Sequence, residues 1–179
     1  IENLEIPKGQ SFGLVGNNGA GKTTFFSLLL DLIQPTTGHI VSNEVQVDIS
    51  EDWKPFTSAF IDETFLIGYL TPEEYFYFIG ELRGCNKADV DMLLANFADF
   101  FHGEILDQKK YLRDLSKGNK KKVGIVASFI GNPEVIVLDE PFANLDPTTQ
   151  IRLKGIIREL TANKETTILI SSPDLIHVT

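Results

Sequence analysis

The chain has one cysteine in 179 residues, Cys85, so no internal disulfide can form, and the composition agrees with a reducing cytosol. No apolar run approaches the roughly 18 residues needed to cross a bilayer, and no secretory leader is visible. Basic residues are scarce: 16 Lys and Arg stand against 25 Asp and Glu, for a net charge of −9 and a pI of about 4.8. A net anion is a poor non-specific binder of DNA, RNA or anionic lipid. Nucleic acid is therefore not an expected partner, and any polyanion must be held at a local site. Internal repeats and low-complexity tracts are also missing. The chain starts at Ile1 without a methionine and reads as a trimmed fragment.

What is present is apolar enough for a full core, with 42% hydrophobic residues in a length that suits one compact domain with a small subdomain. "SFGLV", 11–15, reads as a buried strand, and a helix over about 22–33 should follow its glycines. "GHIVSN", "EVQVDIS" and "SAFI" (58–61) read as short strands. From Thr71 the texture turns helical. Thr71 suits an N-cap, Pro72 the first position, and Glu73 and Glu74 the positive helix end. Tyr75, Phe78, Ile79 and Leu82 define the expected apolar face, and a second helix is expected over 87–100. After Leu115 come a helix at 117–130, the strand "EVIVLDE", a helix at 148–161 with Leu153, Ile156, Ile157 and Leu160 on one face, and the strand "TTILIS". Strands alternating with helices predict an α/β fold with a mainly parallel sheet. The expected organisation is an α/β core, 1–70 and 116–179, interrupted by a helical subdomain, 71–115.

"GNNGAGKTT", 16–24, matches the phosphate-loop pattern G-x-x-x-x-G-K-[ST] between a strand and a helix. Gly16, Gly19 and Gly21 let the backbone wrap an anion, and the N–H groups of Asn17, Asn18, Ala20 and their neighbours turn inwards at a helix N-terminus. Lys22 is expected on the β- and γ-phosphates, the Thr23 hydroxyl on Mg²⁺, and Thr24 beside them. "VIVLDE", 135–140, ends in two carboxylates where parallel strands present ligand sites. Asp139 suits Mg²⁺ and Glu140 suits activation of an attacking water. "KKK", 120–122, reads as a solvated helix face, with local attraction for ATP as the alternative.

"LSKGN", 115–119, "VIVLDEP" and "NLD", 144–146, together with the phosphate loop, resemble the ATP-binding subunit of ABC transporters along essentially the whole chain. The family signature reads L-S-G-G-Q, from which Lys117 and Asn119 depart. The resemblance implies a phosphate-loop ATPase fold that binds ATP and Mg²⁺ and pairs head to tail, as a homodimer or with a similar subunit. Ser116 and Gly118 would touch the γ-phosphate of the facing subunit, and Asp146 would help communication across the dimer. The assembly would power a transmembrane permease by hydrolysis from the cytoplasmic face of the membrane. Tyr77, opposite the expected apolar face, is placed on the surface near the permease contact.

Three departures bear on activity. Asp62 of "FIDET" stands where the family carries a glutamine that touches Mg²⁺, and is expected on the metal or its waters. Pro173 of "ILISSPDL" stands where the family carries a histidine aimed at the γ-phosphate, and proline has no donor to offer. It reads as a helix start, as a slowed hydrolytic site, or as both; His177, one helical turn on, is too far displaced to be the expected substitute. The family's adenine-stacking aromatic would precede Ile1. Two rival functions follow: an ATP-binding clamp with little hydrolysis, and a soluble ABC-type ATPase of DNA repair or translation. The acidic composition disfavours the second.

Overall fold

The computed structural model describes residues 2–174. Four parallel strands form the main sheet: β1 (Ser11–Val15), β4 (Thr57–Phe60), β5 (Val135–Leu138) and β6 (Thr167–Ser172), in the order β1-β6-β5-β4. A separate hairpin pairs β2 (Val41–Ser42) with β3 (Val45–Gln46) across Asn43 and Glu44. Both turn residues take positive φ, 45° and 67°, which a two-residue turn matching strand twist requires. The expected strand over 44–50 is thus cut to two residues.

β5 and β6 are buried at every position, with apolar residues throughout β5 and at Ile168–Ile170 of β6, because both sheet faces are covered. Val135, Val137 and Leu169 point to one side, with Phe26 and Leu29 of α1 (Lys22–Leu29). Ile136, Leu138, Ile168 and Ile170 point to the other side, into the larger core. That core holds α5 (Lys117–Ala127), α6 (Pro147–Ala162) and the helices of the middle segment: α2 (Pro72–Leu82), α3 (Lys87–Asn96) and α4 (Ala98–Phe101). The middle segment joins it through aromatic packing. Phe97 stacks on Phe129 with centroids 5.6 Å apart, and Phe76, Phe100 and Phe101 complete the cluster.

Several local expectations are corrected. α1 ends at Leu29, not near residue 33, because Asp31 turns left-handed (φ 53°). The Leu32 N–H then bonds the Ser27 carbonyl and that of Asp31 the Leu28 carbonyl, closing the helix. The helix expected over 87–100 is broken at Phe97 into α3 and α4, and α5 stops at Ala127. α2 starts as read, with a reciprocal capping box between Thr71 and Glu74, but its buried stripe is Pro72, Tyr75, Phe76 and Gly80. Phe78 and Leu82 are 39% and 68% exposed. Gly80 is a point of close approach between α2 and α3: a methyl there would lie 2.5 Å from Val90 Cγ2. A hydrophobicity pattern cannot register a glycine as a contact.

Gly124 plays the same part between α5 and β4. A side chain there would enter the ring of buried Phe60. Gly124→Val is expected to destabilise the fold by about 1–3 kcal/mol through overpacking, read as a lower urea midpoint at unchanged slope.

Candidate functional site

The parallel register brings four strand ends to one edge. Val15 pairs with Ser172, Ile170 with Leu138, and Leu138 with Phe60. The residues that follow therefore emerge side by side: the glycine loop after β1, Pro173 after β6, Asp139 and Glu140 after β5, and Asp62 after β4. The Gly16 N–H donates to the Ser172 carbonyl (3.2 Å), and the Asp139 N–H to the Phe60 carbonyl (2.9 Å), which extends each ladder into the loops.

These loops enclose a polar cleft of about 450 Å³, lined by Asn18, Gly19, Gly21, Lys22, Thr23 and Thr24 from the glycine loop and α1. Asp62, Glu63, Lys117, Lys121, Asp139 and Glu140 line it from other elements. Gly19 and Gly21 have φ of 86° and 93°, a region open to glycine at little cost. The Lys22 ammonium is buried and donates to the carbonyls of Gly16 (2.6 Å) and Asn17 (3.2 Å), so the loop itself sets its position. The Ala20 N–H closes the turn on the Asn17 carbonyl.

Lys22 Nζ also lies 3.3 Å from Glu140 Oε1, and the Thr23 hydroxyl donates to Asp139 Oδ2 (2.5 Å). A cation faces one carboxylate and a hydroxyl faces the other. Glu140 takes a left-handed backbone, φ 45°, which turns its side chain toward the lysine while Asp139 turns toward Thr23. Thr23 and Asp139 are hard oxygen donors, as Mg²⁺ prefers. Among the described residues no cluster of three or more His, Cys, Asp or Glu could hold a metal by itself. Asp62 lines the same cleft, but its Oδ1 accepts the Thr64 N–H (2.8 Å) as a helix cap, and hydrogen bonding to Thr64, first from its side chain and then from its N–H, holds the carboxyl below its ordinary value.

Ser116 caps α5 by accepting the Asn119 N–H (3.2 Å) and is exposed. A methyl on Gly118 would meet the Asn144 carbonyl at 3.0 Å, so the signature glycine lets α5 pack on the 144–146 loop. Neither residue lines the cleft of its own chain; Lys117 does. Asp146 caps α6, accepting from the Thr149 N–H (3.0 Å) and hydroxyl (2.5 Å). Pro173 and Asp174 form an exposed bend in which Ser172 Oγ accepts the Asp174 N–H (3.1 Å). His177 lies outside the described residues.

Two readings of side chains are overturned. The lysines at 120–122 are not a solvated face. Lys121 and Lys122 are 6% and 5% exposed, because α5 runs beneath the middle segment. Tyr77 is half-buried rather than exposed: its hydroxyl donates to Asp91 (2.6 Å), with the Lys87 ammonium 4.8 Å from its ring.

Three contributors escaped the sequence. Fully buried Ser171 accepts the Glu140 N–H (2.8 Å) and donates to Asp139 Oδ1, joining the two carboxylate residues to β6. Lys121 donates to the Glu140 carbonyl (2.8 Å) and faces Glu63 Oε1 at 3.9 Å. Burial pushes the Lys121 ammonium down, while Glu63 pulls it up. The serine pair in "ILISSPDL" and the alternative reading of the lysines at 120–122 as a local attraction for ATP were the signals in the sequence.

A glycine loop, a lysine and a threonine on its helix, and a carboxylate pair on the adjoining strand define the site of a phosphate-loop nucleotide-binding protein. A family profile described as ABC transporter matches residues 2–143. An uncharacterized ABC transporter ATP-binding protein of Alkalihalophilus pseudofirmus is 35% identical over 92% of this chain and 60% of its own length. The bacitracin transport ATP-binding protein of Enterococcus faecalis is 34% identical over 95% of this chain and 54% of its own length. The solved structure of an ATP-binding subunit of an ABC transporter is 30% identical, with a TM-score of 0.83, covering 94% of this chain and 70% of that one. A dimeric bacterial ABC transporter cassette shares the fold at a TM-score of 0.85 and 19% identity, over 98% of this chain and 80% of its own. The chain belongs to the ABC transporter family, and it spans 60% of the length of the first of these curated relatives.

Two measurements check the site. Ser171→Ala leaves buried Asp139 and the Glu140 N–H without their shared partner, and is expected to cost about 1–3 kcal/mol in urea unfolding. The Asp146 carboxyl is held down to about 2, from 3.8, first by the Thr149 hydroxyl and then by the Thr149 N–H. Its folded value is the lower one, so its stabilisation is present above 3.8 and is lost as pH falls toward about 2. Asp146→Ala is therefore expected to melt below the native chain at neutral pH, and with it near pH 2.

Proposed function

We propose that the chain binds Mg-ATP in this cleft and hydrolyses it to ADP and phosphate, driving a membrane transporter as one half of a head-to-tail dimer. The observation that carries this reading is the convergence of Lys22 on Glu140 and of Thr23 on Asp139 in one cleft. Asn17 to Thr24 wrap the phosphates, with loop N–H groups and the Lys22 ammonium balancing their charge. Thr23 and Asp139 would hold the metal, with Asp62 on the metal or its waters; the ion would withdraw charge from the phosphate oxygens. Glu140 takes the proton of the attacking water while the bond from the γ-phosphorus to its bridging oxygen breaks and ADP leaves. Ser116 and Gly118 act on the nucleotide of the facing subunit.

The permease docks on residues 71–115, the helical subdomain, and on the loop leading into it. An apolar groove of about 450 Å³ runs there between the core and α2, lined by Leu32, Trp53, Phe65, Tyr75, Ile79 and Leu82. Phe65 and Leu82 are well exposed. No helix among the described residues is long and apolar enough to cross a membrane. Likeness to ATP-binding subunits of ABC transporters supports a peripheral place on the cytoplasmic face of the membrane.

Pro173 favours a second reading: closure on ATP with slow hydrolysis. Steady-state ATP turnover and direct ATP binding by the full-length protein test both. Glu140→Gln is expected to lower turnover by about a hundredfold or more with ATP binding retained. Pro173→His is expected to raise it by about tenfold at unchanged affinity. Equal turnover of the proline and histidine forms would show that the carboxylate and loop suffice. Undetectable native turnover alongside tight binding would establish the clamp.

A further inference from the structure

Glu140 sits at the end of β5 with its backbone in the left-handed region. A non-glycine residue there persists only where its surroundings hold it. Two side chains from distant segments do so. Ser171 accepts its N–H, and Lys121 donates to its carbonyl, which also accepts the Ala143 N–H (3.2 Å). Lys121 is 6% exposed, an uncommon site for an ammonium unless it is paired. Its counter-ion is Glu63, whose Oε1 is buried, makes no hydrogen bond, and lies 3.9 Å from Lys121 Nζ. Glu63 directly follows Asp62 in the loop after β4. Lys121 lies one helical turn past Ser116 and Gly118 on α5. One ammonium thus joins the signature helix, the loop into the middle segment and the backbone of Glu140.

We infer that Lys121 is a positioning residue: with Glu63 as its anchor, it holds the Glu140 backbone in the left-handed turn that aims the carboxylate at Lys22. This inference rests on the hydrolytic role given to Glu140 above.

The test compares the full-length protein with Lys121→Met, Lys121→Arg and Glu63→Gln, using steady-state Mg-ATP kinetics and amide hydrogen exchange over residues 139–144. Lys121→Met is expected to lower kcat by about tenfold or more at unchanged KM, since the carboxylate is misaimed and nucleotide binding is untouched. Lys121→Arg should restore most of the loss. Exchange over 139–144 should speed up by about tenfold in Lys121→Met while the rest of the core keeps its protection. If Lys121→Met does not fold, Glu63→Gln decides, with a smaller fall in kcat at constant KM. Unchanged kcat and unchanged local exchange would overturn the inference, as would a loss carried by KM alone. If the native protein shows no turnover, the hydrolytic reading falls by itself, and the exchange measurement still decides whether Lys121 holds Glu140.

Discussion

Parallel pairing of β6 with both β1 and β5 sets the geometry on which everything else rests. Once Ser11 lies beside Ile168 and Thr167 beside Val135, the strands must finish together, because every residue adds the same rise. The glycine loop, the carboxylate pair, the bend at Pro173 and the Asp62 loop then share one edge without further instruction. Specific partners hold this register: buried Ser171 of β6 bonds Asp139 and Glu140 at the end of β5. The polar edge is tolerable because its groups satisfy one another: Ser171 with Asp139 and Glu140, Thr23 with Asp139, and Lys22 with its own loop.

How much of this was legible in the sequence depended on contiguity. Gly16 to Thr24 and Val135 to Glu140 each carry their meaning within a few adjacent residues, so strand, loop and carboxylates could be read directly. The parallel α/β class followed from alternation of apolar runs and helical stretches. Ser171 and Lys121 could not be read, because each acts across a gap in the chain: 31 residues between Glu140 and Ser171, and 19 between Lys121 and Glu140. A run of three lysines carries no local sign that two of them will be covered. The buried stripe of α2 was missed for a related reason: its contact point is Gly80, which has no side chain to count. Tyr77 was taken for a surface residue because its partners, Asp91 and Lys87, lie on a different helix.

The departures from the family pattern are not scattered. Asp62 and Lys117 face the same cleft, and Lys117 is one of the charges that favour the ionised form of Asp62. Together they place charges of both signs along one cleft within an acidic chain. That balance lets the cleft accept a polyanion although the protein repels polyanions as a whole.

The stack of Phe97 on Phe129, at 5.6 Å and 8° between planes, ties the middle segment to the stretch just after α5. α5 carries the signature serine at its start and Lys121 one turn later, and at Gly124 it lies flush on β4. Tied at these points, α5 is a common support for the middle segment and, through Lys121, for the Glu140 turn.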